Sequence, residues 1–215
     1  MSRPAALAVY DFDGTMIRGD SIVAYLRYAH ARRRMGFPAL LRAGWAGLVS
    51  RMGVLSAGEA KRRALSFRDR LTEEERCALD TAFAITLRDS IRPAALRQMA
   101  QDHAAGRKIV LLSASTDNYM LPLAALLKVD ALICTPAGLL PEGNCRGAEK
   151  VRRLEAWLAE KGLTPDRPTT VAYGDSLSDA PVLALAGTAY LVNPRRRVRR
   201  KLSYPCLHWP EKETP

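Results

Sequence analysis

Residues 7–15 read Leu-Ala-Val-Tyr-Asp-Phe-Asp-Gly-Thr, an apolar run that ends abruptly in two carboxylates, a glycine and a hydroxyl. Short continuous apolar runs belong to strands buried on both faces, and open parallel sheets bind ligands outside the carboxyl ends of such strands. The run therefore points to an α/β fold whose first strand delivers acids to a site. On extended backbone, residues two apart face the same way, so Asp11 and Asp13 are expected to share one pocket. Like charges that close repel unless something positive lies beside them. A magnesium ion, which takes oxygen ligands and reaches phosphates through one or two carboxylates, is the natural partner.

Three more polar clusters follow in order. The apolar run Lys108–Leu112 ends in Ser113-Ala114-Ser115, a hydroxyl beside small residues that let backbone amides approach an anion. Lys150 opens the helically spaced segment Lys-Val-Arg-Arg-Leu-Glu-Ala-Trp-Leu. The run Thr169–Tyr173 ends in Gly174-Asp175-Ser176-Leu177-Ser178-Asp179, so two more carboxylates stand past another strand. Read singly, these are a helix cap, a solvated lysine and a strand-end turn.

Taken together the set resembles the haloacid dehalogenase superfamily of phosphohydrolases, with the motifs in family order from Ala5 to Asn193. Phe12, Ser113-Ala114-Ser115, the block Asn144–Lys150 and Tyr173-Gly-Asp-Ser look most similar to its phosphoserine-phosphatase-like branch. The resemblance implies a Rossmann-like, doubly wound parallel sheet over residues 1–15 and 91–215, with an all-helical cap inserted at 16–90. It also implies a magnesium-dependent phosphatase that acts on a small phosphorylated metabolite through an aspartyl-phosphate.

In that scheme Asp11 is the nucleophile, and Asp13 protonates the leaving oxygen and later deprotonates water. Ser113 and the amide of Ala114 would bind phosphoryl oxygens, and Lys150 would neutralise them while keeping Asp11 ionised. Asp11, the backbone carbonyl of Asp13 and Asp175 would hold the metal. Asp179 would either join through the metal's water shell or hold Lys150 by an ion pair. Asp20 and Arg63 fall where the branch contacts the distal part of its substrate. The branch tends to have Glu where this chain has Asp20, and Ser-Gly-Gly where it has Ser113-Ala114-Ser115, so phosphoserine itself is not implied. A dehalogenase would lack the second carboxylate; a phosphotransferase and a catalytically silent phosphate-binding module are the other readings of the same residues.

The elements expected are strand Ala6–Phe12, helices Ser21–Arg34, Ala39–Met52, Ser56–Arg68 and Thr72–Arg88, and a helix from Pro93 to Gly106. Thereafter strands Lys108–Leu112, Ala131–Cys134, Thr169–Tyr173 and Ala189–Val192 alternate with helices Asp117–Lys128, Ala148–Lys161 and Ser178–Ala186. Asp20 or Ser21 would cap the first helix, and Ser115 or Asp117 the one after the second motif. Pro136–Gly143 reads as a turn or short hairpin.

The net charge of +11 concentrates at Arg32–Arg34, Lys61–Arg63 and Arg195–Lys201. Such a field attracts phosphorylated metabolites or anionic headgroups, but no aromatic-interleaved basic platform accompanies it, so nucleic acid is not expected. From Phe37 to Leu55 run Phe37, Leu40, Leu41, Trp45, Leu48, Val49, Met52 and Val54, with arginines at intervals. The ordinary use of this stripe is the cap's own core or a dimer contact. The alternative is a helix in an anionic membrane interface, which would suit a lipid-phosphate phosphatase of the phosphatidylglycerophosphate type. Ser2, Arg3 and Pro4 lead straight into the first strand with no signal-peptide pattern, so the cytoplasm is expected. The four cysteines lack paired spacing and are expected reduced. The sequence carries no signal for oligomeric state.

Overall fold

The computed structural model describes residues 3–212. Strands β1 (Arg3–Ala5) and β2 (Leu7–Tyr10) open the chain, followed by helices α1 (Ser21–Ala31), α2 (Phe37–Arg51), α3 (Ala57–Leu65) and α4 (Glu73–Asp89). After α5 (Pro93–Ala104) come β3 (Lys108–Thr116), α6 (Asp117–Leu127), β4 (Ala131–Thr135), α7 (Ala148–Glu160), β5 (Leu163–Pro165) and β6 (Val171–Gly174). The chain closes with α8 (Ala180–Leu185), β7 (Thr188–Val192), α9 (Arg196–Arg199) and β8 (Cys206–Leu207).

Six strands form one all-parallel sheet in the order β4-β3-β2-β6-β7-β8, while β1 and β5 pair separately. The chain winds outward from β2 to one side and returns to β6 on the other. The crevice between these neighbours is thus the topological switch point where such sheets bind ligands.

Side chains alternate across β2 as the strand period requires. Leu7 and Val9 join a core with Val110, Leu112, Leu154, Leu158 and Leu183, beneath α7 and α8. Ala8 and Tyr10 face a second core with Ile109, Leu111 and Tyr173, which runs without a break into Tyr25, Phe67 and Phe83 of the helical segment. Tyr119 of α6 bridges the two: its ring centroid lies 5.1 Å from that of Tyr25 and 5.2 Å from that of Phe83. The helices of 21–89 therefore share the sheet's hydrophobic core instead of building an isolated one.

A buried ion pair fixes that junction. Arg68, in a 3₁₀ turn after α3, donates to Asp80 of α4 at 2.5 and 2.8 Å, and Asp80 also accepts from Tyr25 Oη at 2.5 Å and from Asn118 Nδ2 of α6 at 2.9 Å. Thr72 and Glu75 form a reciprocal capping box at the start of α4.

The structure shifts several sequence expectations. β2 stops at Tyr10, two residues short of Phe12, because the chain turns there: Met16 N donates to Phe12 O at 2.9 Å. β3 continues past Leu112 to Thr116, carrying Ser113 and Ser115 within the strand. Thr116 is the N-cap position of α6; Asp117 instead accepts from Ala137 N at 2.9 Å. The segment before α8 begins as a 3₁₀ turn, Leu177–Asp179. The strands β1, β5 and β8 are additional, each too short to show a period. Among the described residues no helix is long and apolar enough to cross a membrane.

Removing one member of a buried ion pair leaves the other charge uncompensated, at a typical cost of about 3–5 kcal/mol. Asp80→Ala is expected to lower unfolding stability by about that amount, read as a shifted urea midpoint. An unchanged midpoint would show that the Arg68–Asp80 junction contributes nothing.

Candidate active site

Asp11 is the first residue past the paired part of β2, and its amide donates to Tyr173 O of β6 at 3.0 Å, which holds it at the switch-point crevice. Both carboxylate oxygens are engaged. Lys150 Nζ donates to Oδ1 at 2.6 Å and Thr15 Oγ1 to Oδ2 at 2.9 Å. Lys150, in the first turn of α7, also donates to Asp179 Oδ1 at 2.7 Å. The second oxygen of Asp179 accepts from the amide and the hydroxyl of Ser176, at 3.1 and 2.6 Å. Asp179 is therefore committed on both sides, and the ion pair with Lys150 is its observed contact.

Two glycines make this crowding sterically feasible. Gly14 has φ of +85°, and a Cβ there would lie 2.3 Å from Asp175 Oδ2; at Gly174 a Cβ would lie 2.7 Å from Asp179 Cβ. Any larger residue at either place would push an acid out of the cluster. Carboxylate oxygens of Asp11, Asp175 and Asp179 lie within 4.8 Å of one another. The carboxylate of Asp13 is not in that group.

The electrostatics follow from burial. Loss of water and the charge of Asp179 push the Asp11 carboxyl well up, against the opposing pull of Lys150. Asp175 is pushed up to about 6, first by burial and then by Asp179. Burial alone would lower the pKa of Lys150, but Asp11 and Asp179 outweigh it, so Lys150 stays charged.

Asp13 sits on the turn after Asp11, facing the start of α1. Its Oδ1 accepts from Ser21 N at 2.7 Å and its Oδ2 from the Ser115 hydroxyl. Ser115 Oγ and Ser21 Oγ lie 2.7 Å apart, and Tyr119 Oη lies 3.0 Å from Ser21 Oγ. Burial, followed by the charge of Asp20, raises the Asp13 pKa, and these hydrogen bonds offset part of the rise. Ser113 is buried on β3, where its Oγ accepts from Ser115 N at 3.0 Å, and the partly exposed Ala114 lies between them.

The two candidate substrate residues do not come together. Asp20 is the exposed N-cap of α1, accepting from Ile22 N at 3.0 Å. Arg63 is turned outward and donates to Glu59 at 2.9 Å. Two residues apart on a helix is more than half a turn, and the inward face of α3 is set by Ala57, Gly58, Ala60, Ala64 and Leu65. Lys61, one turn from both Ala57 and Leu65, occupies that face and crosses to the site, donating to Ala114 O at 2.5 Å and Asn144 Oδ1 at 2.7 Å. Burial lowers its pKa, while Asp13 and Asp20 act to raise it. The small-residue spacing around Lys61 was the available signal. Of the cysteines, Cys145 is buried and its thiol pushed up in pKa by burial, so it is held as an unreactive packing group.

A parallel sheet with acids, an ammonium and hydroxyls converging at its switch point defines a hydrolytic or transfer centre. The model of the haloacid dehalogenase-like hydrolases matches residues 8–184, and the chain belongs to that family. Protein CicA of Caulobacter vibrioides is 33% identical over 197 residues, 86% of this chain and 85% of its own. Phosphoserine phosphatase SerB1 of Mycobacterium tuberculosis is 28% identical over 211 residues, 90% of this chain and 67% of its own. The crystal structure of a Bordetella pertussis protein of unknown function superposes with a TM-score of 0.84 at 24% identity, covering 96% of this chain and 99% of that one.

The donor set suits a hard divalent cation: oxygen donors only, from Asp11 and Asp175 with Asp179 beside them, and an Asp175 carboxyl raised to about 6 by burial and then by the charge of Asp179. Without a cation, Asp175 binds a proton more tightly folded than unfolded, where its pKa is near 3.9. Its contribution to stability is thus lost as pH rises from there through about 6. Millimolar magnesium, which needs the ionised acids, is expected to raise Tm more at about pH 7.5 than at about pH 5. Equal shifts at both pH values, or the same shifts in Asp175→Asn, would show that this cluster is not the binding site.

Proposed function

We propose that this hydrolase is a phosphatase that cleaves monoesters of small phosphorylated metabolites through a phosphoryl group carried on Asp11. The observation that supports it most is the shared ammonium of Lys150, which lies 2.6 Å from Asp11 Oδ1, orients that carboxyl at the switch point and opposes the burial that raises its pKa. A named phosphoserine phosphatase among its relatives supports the same reaction class.

In the first half-reaction an Asp11 carboxylate oxygen attacks phosphorus, the ester P–O bond breaks, and Asp13 gives its proton to the leaving oxygen. In the second, Asp13 takes a proton from water, whose oxygen attacks the same phosphorus and releases Asp11 and inorganic phosphate. One carboxyl serves both steps because the second reverses the proton transfer of the first. The raised pKa of Asp13 keeps it protonated further toward neutrality than a free aspartate. Ser113, the Ala114 amide and Lys150 meet the phosphoryl oxygens. Magnesium, held by Asp11, Asp175 and the Asp13 carbonyl, supplies further compensation for phosphoryl charge when bound. Asp179 acts through Lys150 by fixing its position. Segment 16–90 serves as the cap, and Lys61 is its basic residue facing the substrate.

Asp11→Asn is expected to abolish magnesium-dependent phosphate release from an aryl phosphate with an unchanged circular dichroism spectrum. Asp13→Asn should lower kcat on an alkyl phosphate by about 100- to 10,000-fold. In the wild type the rate should fall as pH rises through the raised Asp13 value, and that alkaline limb should vanish in the variant. Retained turnover in Asp11→Asn would exclude the covalent route. A panel of phosphorylated metabolites then identifies the substrate class. On its best member Lys61→Ala should raise KM about tenfold, the loss of roughly one charge-assisted hydrogen bond, whereas Arg63→Ala should leave it unchanged. The reverse ranking would return the substrate contact to Arg63.

A further inference from the structure

Helix α2 is built inside out. Its buried residues are the small Ala43 and Ala46, and it packs through them against α1 and α3. Five large apolar residues of the helix and its C-cap, Phe37, Leu41, Trp45, Leu48 and Met52, face solvent, from 50% exposed at Leu48 to 70% at Met52, while Leu40 and Val49 are half-buried. Spacings of four, four, three and four place all five within roughly 80° of helix circumference, nearly opposite the alanines. Val54, just past the helix, is 76% exposed and extends the apolar surface. The expectation that this stripe forms the cap's core holds for Leu40, which packs against that core, but not for the five exposed residues; α1, α3 and α4 supply Tyr25, Leu65, Phe83 and Leu87 instead.

The charge within the stripe's own segment has one sign. From Ser21 to Gly58 the chain has no acidic residue and six arginines, at 27, 32, 33, 34, 42 and 51. Arg42 and Arg51 project on either side of the stripe, each within roughly 60° of its edge, and both are exposed. Arg32 and Arg33 lie exposed in the turn that leads into α2. An apolar strip with a central Trp and flanking arginines fits the boundary between acyl chains and headgroups, where long basic side chains reach lipid phosphates. A second copy of this chain fits less well. A two-fold contact through the stripe would set these arginines against their own counterparts, and segment 21–58 itself holds no acid to balance them.

We propose that α2 is a docking helix for anionic bilayers, with Phe37, Leu41, Trp45, Leu48 and Met52 entering the interface and Arg42 and Arg51 meeting lipid phosphates. The same helix packs on α3, which carries Lys61 into the candidate site, so docking ties the cap side of the enzyme to the membrane surface. This inference rests on the helix alone and does not depend on the phosphatase chemistry.

The test is co-sedimentation of the full chain with phosphatidylcholine vesicles, with and without phosphatidylglycerol, at low and high salt. Binding is expected only with the anionic lipid, weakening as salt screens the charge. A blue shift of tryptophan emission should accompany it, since Trp45 is exposed whereas Trp157 is partly buried and Trp209 buried. Trp45→Asp and the Arg42→Glu, Arg51→Glu double variant should each weaken partition by about tenfold or more, while hydrolysis of a soluble aryl phosphate stays at the wild-type rate and certifies the fold. No binding at low salt would overturn the proposal. So would binding that Trp45→Asp leaves intact, which would assign it to charge elsewhere. A dimer that Trp45→Asp dissolves, in protein that ignores vesicles, would give the stripe to a second copy.

Discussion

Lys150 is the one positive group inside a cluster of three carboxylates, and the candidate site depends on its place there. Nothing local favours an ammonium at that position: it is buried, and it stands in the first turn of α7, at the positive end of the helix dipole. It stays charged because Asp11 and Asp179 lie 2.6 and 2.7 Å away. These acids in turn are brought to it by separate parts of the sheet, Asp11 by the end of β2 and Asp179 by the 3₁₀ turn after β6. Sheet closure and charge compensation are thus one requirement. If β2 and β6 did not pair in this register, Lys150 would be an isolated buried cation and the acids would repel without relief.

Burial first, and then the charge of Asp179, raise Asp175 to about 6 in spite of the nearby Lys150. A fold that spends steric freedom at Gly14 and Gly174 to bring acids this close is arranged for an additional cation. Asp13 is kept out of the crowd by Ser21 and Ser115, so that its carboxyl feels Asp20 after burial, where that of Asp11 feels Asp179. Separate environments for two neighbouring acids are what a nucleophile and a proton carrier require.

The sheet and the acid cluster were legible because they rest on short-range patterns: an apolar run and the polar residue that ends it. Alternation of such runs with helical spacing gave the parallel α/β architecture and put Asp11, Lys150 and Asp175 at element ends, whereas Ser113, expected at one, lies within β3. What the pattern missed depends on distant partners. β8 exists because Leu207 and Cys206 find the free edge of β7, and two residues carry no period of their own. The pairing of Asp179 with Lys150, as against a role in the metal's water shell, is a matter of ångströms and was open in the sequence. The strand period does not relate Asp11 to Asp13, since β2 ends before either, and past the turn after Phe12 the carboxylate of Asp13 is held by Ser21 and Ser115.

Helical spacing had the same limit in the inserted segment. It identifies which residues share a face but not which face turns inward, and in α3 and α2 the answer came from size. Small residues let helices approach closely, so Ala57, Gly58, Ala60 and Ala64 turn α3 inward and carry Lys61 with them, while Arg63 swings out. In α2 the same preference buries Ala43 and Ala46 and leaves the large side chains outside. Scattered exposed apolar residues are ordinary on a soluble surface, but five aligned on one helix face are not. Exposure of that area to water is unfavourable by about 25 cal/mol for each Å², a standing cost that disappears when the face meets an apolar phase. If that face docks, the arginines and the absence of acids from Ser21 to Gly58 favour an apolar phase whose polar boundary carries negative charge.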